Sequence, residues 1–401
     1  MLNTTTEFKE TEIGTIPEEW EVKTFDEILE ITSSKRIFMS EYVKSGVSFW
    51  RGKEIVEKAK GNTDVSTPLY ISEKRFNEIA DKYGAPKQGD ILMGSVGTLG
   101  VSYQVKGADR FYFKDGNITW FRNYKKGIFS NYIQYWLTSS SGQRSVLSTA
   151  IGSTQPALTI DGLKKIQIAI PIELEQRRIV EILSSLDDKI ELNRKINVNL
   201  EKLANSLFKK WFVDIGDKLP EEWRMGTFGE AVQNFDSRRI PLHSGEREKK
   251  RGSYPYYGAT SVMDYVDDYI FDGTYVLLGE DGSVAKEDGK PFVQYVSGKI
   301  WVNNHAHVLQ GKNGFSTEYI KVFLDHLDIS PFVTGAVQPK VNQSNMNRIP
   351  MIIPNKEILN IFNGILATLF EIILKNKSQI NNLGQARDSL LPRLMSGKIR
   401  V

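Results

Sequence analysis

The chain has 401 residues, 40% hydrophobic and 25% charged, with 52 Lys and Arg against 49 Asp and Glu for a net charge of +3. That is an ordinary globular composition, too long for one compact core and suited to roughly two to four folding units. The absence of cysteine excludes disulfides and thiolate metal sites and fits a reducing, cytoplasmic setting. A charge so near neutral points to a polyanion only where cations cluster locally.

Taken in order, residues 1–10 are polar and lack the apolar core of a signal peptide. Ile16-Pro17-Glu18-Glu19-Trp20 follows, then two basic groups, Lys35-Arg36 and Arg51 with Lys53, the latter beside Trp50. A helix is predicted over 73–81 and a strand over 89–93. Behind that strand, Gly94, Gly97 and Gly100 are spaced as G-x-x-G-x-x-G, which reads as tight turns rather than the G-x-G-x-x-G of a dinucleotide site. Ser95 and Thr98 sit among these glycines as candidate polar contacts. Strands are expected at 111–113 and 118–120 and a helix at 131–137. The run Gly152-Ser153-Thr154-Gln155-Pro156 leads back to Ile168-Ala169-Ile170-Pro171.

From 173 to 213 the pattern is helical. Its apolar seam reads Ile179, Leu183, Leu186, Ile190, Asn193, Asn197, Leu200, Ala204, Leu207, Trp211, in alternating steps of four and three. Pro171 precedes it, Glu173 and Glu175 complement the positive end of its dipole, and it is expected to end before Gly216.

The second half repeats the first. Leu219-Pro220-Glu221-Glu222-Trp223 restates the first motif at an offset of 203 (220 minus 17). Gly335-Ala336-Val337-Gln338-Pro339 and Met351-Ile352-Ile353-Pro354 restate the later ones at 183 (338 minus 155), so the first globular segment is the longer. A repeat this long is a duplicated domain plus helix. Between the anchors lie Arg238-Arg239, the basic run Arg247, Lys249, Lys250 and Arg251, Tyr254, Tyr256, Tyr257 and Thr260. Strands are expected at 273–278 and 300–302, a helix at 317–327, and Gln338 and Lys340 stand just before the second return. The second long helix begins after Pro354, with the seam Phe362, Leu366, Leu369, Ile373, Asn376, Ile380, Leu383, Arg387, Leu390, Leu394. Pro392 is expected to end or kink it near Leu391. Its apolar window 358–374 holds Asn360, Asn363 and Glu371 and is read as part of the helix, not as a membrane span.

The expected architecture is therefore α+β. Two β-rich globular domains, 1–171 and 214–354, alternate with helices over 172–213 and in 355–401, and the helices pair as an antiparallel intramolecular coiled coil. Asn193 is expected to face Asn376 as a single polar layer that sets register. A helix of about 38 residues is about 57 Å long. Ile182, Ile196, Leu203 and Phe208 lie beside the seam and form a second apolar stripe for partner helices.

The catalytic inventory is sparse: no phosphate-binding P-loop, no Asn-Pro-Pro-Tyr/Phe methyltransferase motif and no recognisable Ser-His-Asp set. His305 and His307 flank Ala306 on one face of a strand-like run but lack a neighbouring third ligand, so no metal site is assigned. Cations paired with aromatics, one set per globular segment, are what phosphate contact and guanine reading require. Each cluster taken alone also reads as a solvated loop, and Thr154-Gln155 and Gln338-Lys340 either meet DNA or cap a turn.

The motifs Ile16-Pro17-Glu18-Glu19-Trp20, Glu175-Gln176-Arg177-Arg178-Ile179, Trp211-Phe212-Val213-Asp214, Tyr256-Tyr257-Gly258-Ala259-Thr260, Trp301-Val302-Asn303-Asn304-His305-Ala306-His307 and Leu391-Pro392-Arg393-Leu394-Met395-Ser396-Gly397-Lys398-Ile399 occur in one order and partly in duplicate. In this the chain resembles the DNA-specificity (S) subunit of Type I restriction-modification enzymes over essentially its whole length. The second half departs from the resemblance at 355–362, which lacks the Glu-Gln-Arg-Arg run. The resemblance implies two target-recognition domains, each reading half of a bipartite asymmetric DNA site, and spacer helices that set the gap. It also implies two modification subunits that bring S-adenosylmethionine, and restriction subunits that use ATP and Mg; no cofactor is expected in this chain. A coiled-coil adaptor and a methyltransferase or nuclease fusion are the competing readings; the dissimilar β-rich domains weigh against the first and the missing motifs against the second.

Overall fold

The computed structural model describes residues 7–61, 69–216, 218–335 and 337–401. Of the expected first domain, residues 1–6 and 62–68 lie outside the described residues, as do Asp217 and, in the second return motif, Ala336. The chain forms two compact units, one of 1–191 with 381–401 and the other of 192–380. Each unit takes in a stretch of both long helices, because each buries its own share of their apolar faces.

In the first unit, β1 (Glu21–Thr24) pairs antiparallel with β4 (Gln167–Ile170), so Gln167 faces Thr24 and Ile170 faces Glu21. Thr24 then opens a one-turn helix, Phe25–Ile28, by a capping box in which its N–H donates to Glu27 at 2.6 Å. β2 (Ile91–Gly94) and β3 (Ile118–Arg122) are the middle pair of an antiparallel four-stranded sheet. A second four-stranded sheet joins Phe111–Phe113, Val47–Trp50, Tyr70–Ile71 and Tyr42–Val43. The helices expected at 73–81 and 131–137 form as Glu73–Tyr83 and Ser130–Thr138.

The long helices are α1 (Glu173–Phe208) and α2 (Lys356–Met395). In the first unit, Ile179 and Leu183 of α1 and Leu391 and Leu394 of α2 share one core with Trp20, Phe25, Phe121 and Tyr132. Arg387 pairs with Asp187 at 2.8 Å. The Pro-Glu-Glu-Trp motif is explained here. Trp20 is fully buried and its indole N–H donates to Glu175 at 2.9 Å, while Arg400 donates to both Glu175 and Glu19. Pro392 does not end α2. The helix runs on to Met395 and stops at Gly397, whose φ of +68° is open to glycine at little cost. A Cβ there would lie 2.3 Å from the Pro17 ring.

The second unit rebuilds the same frame. β5 (Arg224–Thr227) pairs antiparallel with β8 (Pro350–Ile353), and Thr227 with Glu230 caps the short helix Phe228–Ala231. A six-stranded sheet follows in the order Val232–Asn234, β7 (Ala306–Gly311), β6 (Phe271–Gly279), Val293–Val302, Arg251–Tyr257, Val262–Val266. The helix expected at 317–327 forms as Thr317–His326. The inward face of α2, with Leu359, Phe362, Leu366 and Ile373, enters the core, so its apolar window belongs to a packed helix.

The helix register in this unit differs from expectation by one turn. Asn376 donates to Asn197 at 2.9 Å, Asn197 to the Ile373 carbonyl at 3.3 Å, and Asn193 to Gln379 at 3.1 Å. Asn193 therefore does not face Asn376. An antiparallel pair places neighbours by opposed chain direction, so residues equivalent in the repeat lie to either side of the crossing rather than against each other. Toward the end of α1 the buried stripe moves from the expected Leu207 and Trp211 to Phe208 and Phe212, as the 3.6-residue turn drifts off a 3.5-residue repeat. The last turn widens over Lys209–Val213. Phe208, expected on a partner-facing stripe, is instead a core residue, stacked on His326 and packed against the tilted Phe212 ring and the edge of Tyr319. Ile182 and Ile196 are half-buried, and Leu203 is exposed.

Candidate nucleic-acid interface

In both units a buried strand ends at a glycine and turns through a short polar loop. β2 ends at Gly94 before Ser95-Val96-Gly97-Thr98, and β6 ends at Gly279 before Glu280-Asp281-Gly282-Ser283. Any side chain at the first glycine would collide with the loop: a Cβ on Gly94 would lie 2.4 Å from the Thr98 carbonyl, and one on Gly279 2.7 Å from that of Ser283. The Gln-Pro return docks on this loop each time. The Leu158 N–H donates to the Ser95 carbonyl at 2.9 Å and the Val341 N–H to the Glu280 carbonyl at 2.8 Å. Val96 bridges Ala157, and Asp281 bridges Lys340. Thr98, Thr154 and Gln155 are thus exposed on adjoining loops in the first unit, as are Gln338 and Lys340 in the second.

Beneath the loops the two units use different chemistry at matching positions. In the first, hydroxyls meet: Ser95 contacts Thr119, and Ser33 donates to the Ile118 carbonyl at 3.1 Å. In the second, Glu280, His307 and Asp236 stand at those places. Glu280 accepts from Arg239 at 2.6 Å and pairs with Lys340 at 3.1 Å. His307, 1% exposed, bonds Asp236 through Nδ1 and the Val341 carbonyl through Nε2 at 2.7 Å. Burial pushes the Asp236 and Glu280 carboxyls up, but His307 beside the first and Arg239 beside the second outweigh it, and both end below their ordinary values.

Asp236, Glu280 and His307 bring ligand atoms within 4.8 Å of one another, supplying the third ligand that the histidine pair lacked in sequence. The set does not suit a metal. Arg239 and Lys340 already neutralise Glu280, both nitrogens of His307 are engaged, and His305 turns away to Asp281. The cluster is an ion network that clamps the Gln338–Lys340 return to the sheet.

The remaining basic and aromatic candidates divide by exposure. Lys35, Arg36, Lys53, Arg238, Lys249, Arg251 and Thr260 are exposed, and Arg36 reaches Asp115 at 2.9 Å. Arg238 stacks over Phe271 at 4.9 Å. Arg51 is held by the buried Glu54, Lys250 lies 3.7 Å from Asp267, and Tyr257 is half-buried. Three candidates point inward: Ser95 and Arg239, used as described, and Tyr256, which is 1% exposed and accepts from the Leu242 N–H. Their spacing in the sequence carries no sign of which face of a strand or turn they take.

The sequence reading also missed a cleft of about 310 Å³ in the first unit, lined by Thr32, Ser33, Lys35, Lys82, Tyr83, Tyr112, Trp120 and Arg122. Arg122 lies over Trp120 at 4.3 Å and Lys35 over Tyr83 at 4.7 Å, so cations and rings face one recess. Lys82 stands alone in the sequence, whereas Arg122, with Tyr124, Lys125 and Lys126 just after it, is a basic and aromatic signal that could have been read. The Thr-Phe-x-Glu cap at Thr24 and Thr227 repeats at the same offset of 203 (227 minus 24) and was legible beforehand.

Comparison with known proteins accords with this arrangement. The family model described as the type I restriction modification DNA specificity domain matches twice, over residues 17–202 and 220–383. The type I restriction enzyme MjaIX specificity subunit of Methanocaldococcus jannaschii is 28% identical over 435 aligned positions, covering 99% of this chain and 97% of that protein. The HindI specificity subunit of Haemophilus influenzae is 22% identical, covering 63% of this chain and 73% of that one. In fold, the chain is similar to the crystal structure of an S subunit from M. genitalium, with a TM-score of 0.56 at 17% identity over 98% of this chain and 97% of that one. With two copies of one specificity domain covering most of its length, the chain belongs to the type I restriction-modification DNA-specificity family.

Proposed function

We propose that this chain is the sequence-reading subunit of a type I restriction-modification complex, each unit reading one half of a bipartite asymmetric DNA site. The observation that carries the reading is one frame built twice, with the same strand–glycine–return loops but different chemistry at matching positions. Two copies of one reader suit a two-part site, and divergence between them suits unlike halves. The chain itself acts as a non-catalytic scaffold in the cytoplasm. S-adenosylmethionine, ATP and Mg belong to two modification subunits and to restriction subunits.

Leu203 and the half-buried Ile182 and Ile196 support docking of modification-subunit helices on α1, joined by the exposed Ile361 and Ile372 of α2. Co-expression with a methyltransferase partner, followed by sequencing of methylated adenines, tests the reading. A single two-part motif is expected, and exchanging residues 219–354 for those of a relative changes one half of it only. Methylation independent of this chain, or a continuous motif, refutes it.

A further inference from the structure

Among the described residues of the first unit, the two most exposed neighbouring apolar side chains are Phe38 at 61% and Met39 at 84%. They crown a single turn between the exposed cations Lys35 and Arg36 on one side and Lys44 on the other. The turn is rigid. The Phe38 N–H donates to Glu41 at 2.7 Å, the Glu41 N–H returns to the Phe38 carbonyl at 2.9 Å, and Arg75 holds Glu41 at 2.6 Å. Just before the tip, Ile37 is sunk in a core with Val47, Phe49 and Ile71; just after it, Tyr42 packs its ring on Phe49 at 5.3 Å. The nearby carboxylates Glu41 and Asp115 are paired with Arg75 and Arg36.

The second unit differs at the same place in the repeat. There Arg238-Arg239-Ile240 stands where Lys35-Arg36-Ile37 does, at an offset of 203 (238 minus 35), but Arg239 is drawn into the Glu280 network and a lone Ile240, 50% exposed, replaces the Phe-Met pair as the exposed apolar residue. An apolar point held stiffly between cations is poorly suited to water and well suited to a surface that is anionic outside and apolar between its layers. Stacked base pairs behind a phosphate backbone have that character.

We propose that Phe38 and Met39 form a wedge that enters between two base pairs of the half-site read by the first unit, with Lys35, Arg36 and Lys44 on the flanking phosphates. The proposal rests on the DNA-reading function above and adds the mode of contact: opening a base step, so that stiffness of the step as well as base edges selects the site.

The test uses the full chain with its modification partner on duplexes of the methylated motif. 2-Aminopurine replaces one base at a time, and the methylated adenines are left out because a methyltransferase extrudes them itself. Fluorescence is expected to rise at one step of one half-site. F38A/M39A should abolish that rise and weaken binding about tenfold, whereas F38L retains both and L147A, on an exposed helical position, changes neither. A bound duplex with no rise at any step overturns the wedge and leaves the DNA-reading function standing. So does an F38A/M39A complex that binds and fluoresces as the parent does, or one that fails to assemble with its partner, which makes the tip a protein contact. Failure of the parent to bind any duplex overturns both.

Discussion

Glu280 allows a quantitative comparison between the units. Its side chain is 11% exposed and holds Arg239, itself 12% exposed, at 2.6 Å. Replacing it by alanine takes from the buried guanidinium its nearest carboxylate and leaves it Asp236 at 3.5 Å and the Ala306 carbonyl, which puts the cost at the low end of ~3–5 kcal/mol. The pair with Lys340, half in solvent, adds under ~1 kcal/mol. The matching change in the first unit, Ser95→Ala, removes one neutral hydrogen bond to Thr119 and costs ~1–2 kcal/mol. The two variants should therefore differ by ~2 kcal/mol, a factor of about 30 in the opening equilibrium. Native-state amide exchange, followed on β7 for one variant and β3 for the other, reads each unit separately. Adding Arg239→Met to Glu280→Ala should recover part of the loss, since no buried charge is then left alone. Equal losses from Glu280→Ala and Ser95→Ala, or no recovery in the double variant, refute the reasoning.

The carboxyls of Asp236 and Glu280 are held below their ordinary values of 3.8 and 4.5. The stability they contribute is therefore complete above about pH 4.5 and is lost as the pH falls through the lowered values, so in acid titrations amide protection along β7 should fall below about pH 4.5. Asn376→Leu alone should destabilise the helix pair by ~1–3 kcal/mol, because the Asn197 side-chain oxygen is left without its donor in a buried layer; Asn197→Leu with Asn376→Leu should regain that loss, measured by urea unfolding. Leu203→Glu should cut co-purification with the modification subunit while leaving thermal unfolding within about 0.5 kcal/mol of the parent. Phe208→Glu, placed in the core, should unfold the second unit; normal folding of that variant would contradict its packing.

The duplication was legible in sequence because its anchors do local work. Trp20, the Gly-to-Gln-Pro returns and the apolar seams are each set by a few neighbouring residues, and short-range patterns survive in a linear string. The antiparallel α+β architecture followed, since a helix that repeats at a fixed offset and buries one stripe has a partner in its own copy. What tertiary structure alone decided is which side chains remain available. Asp236 and His307 lie 71 positions apart, Arg239 and Glu280 41, and their convergence depends on sheet order that no window of sequence contains. The same holds for Tyr256, turned inward by strand register, and for Phe38 and Met39, left outside by a turn. Asn376 meets Asn197 rather than Asn193 for a geometric reason. A repeat equates residues by position along the chain, whereas antiparallel packing equates them by position in space, and the two coincide only at the point where the helices cross.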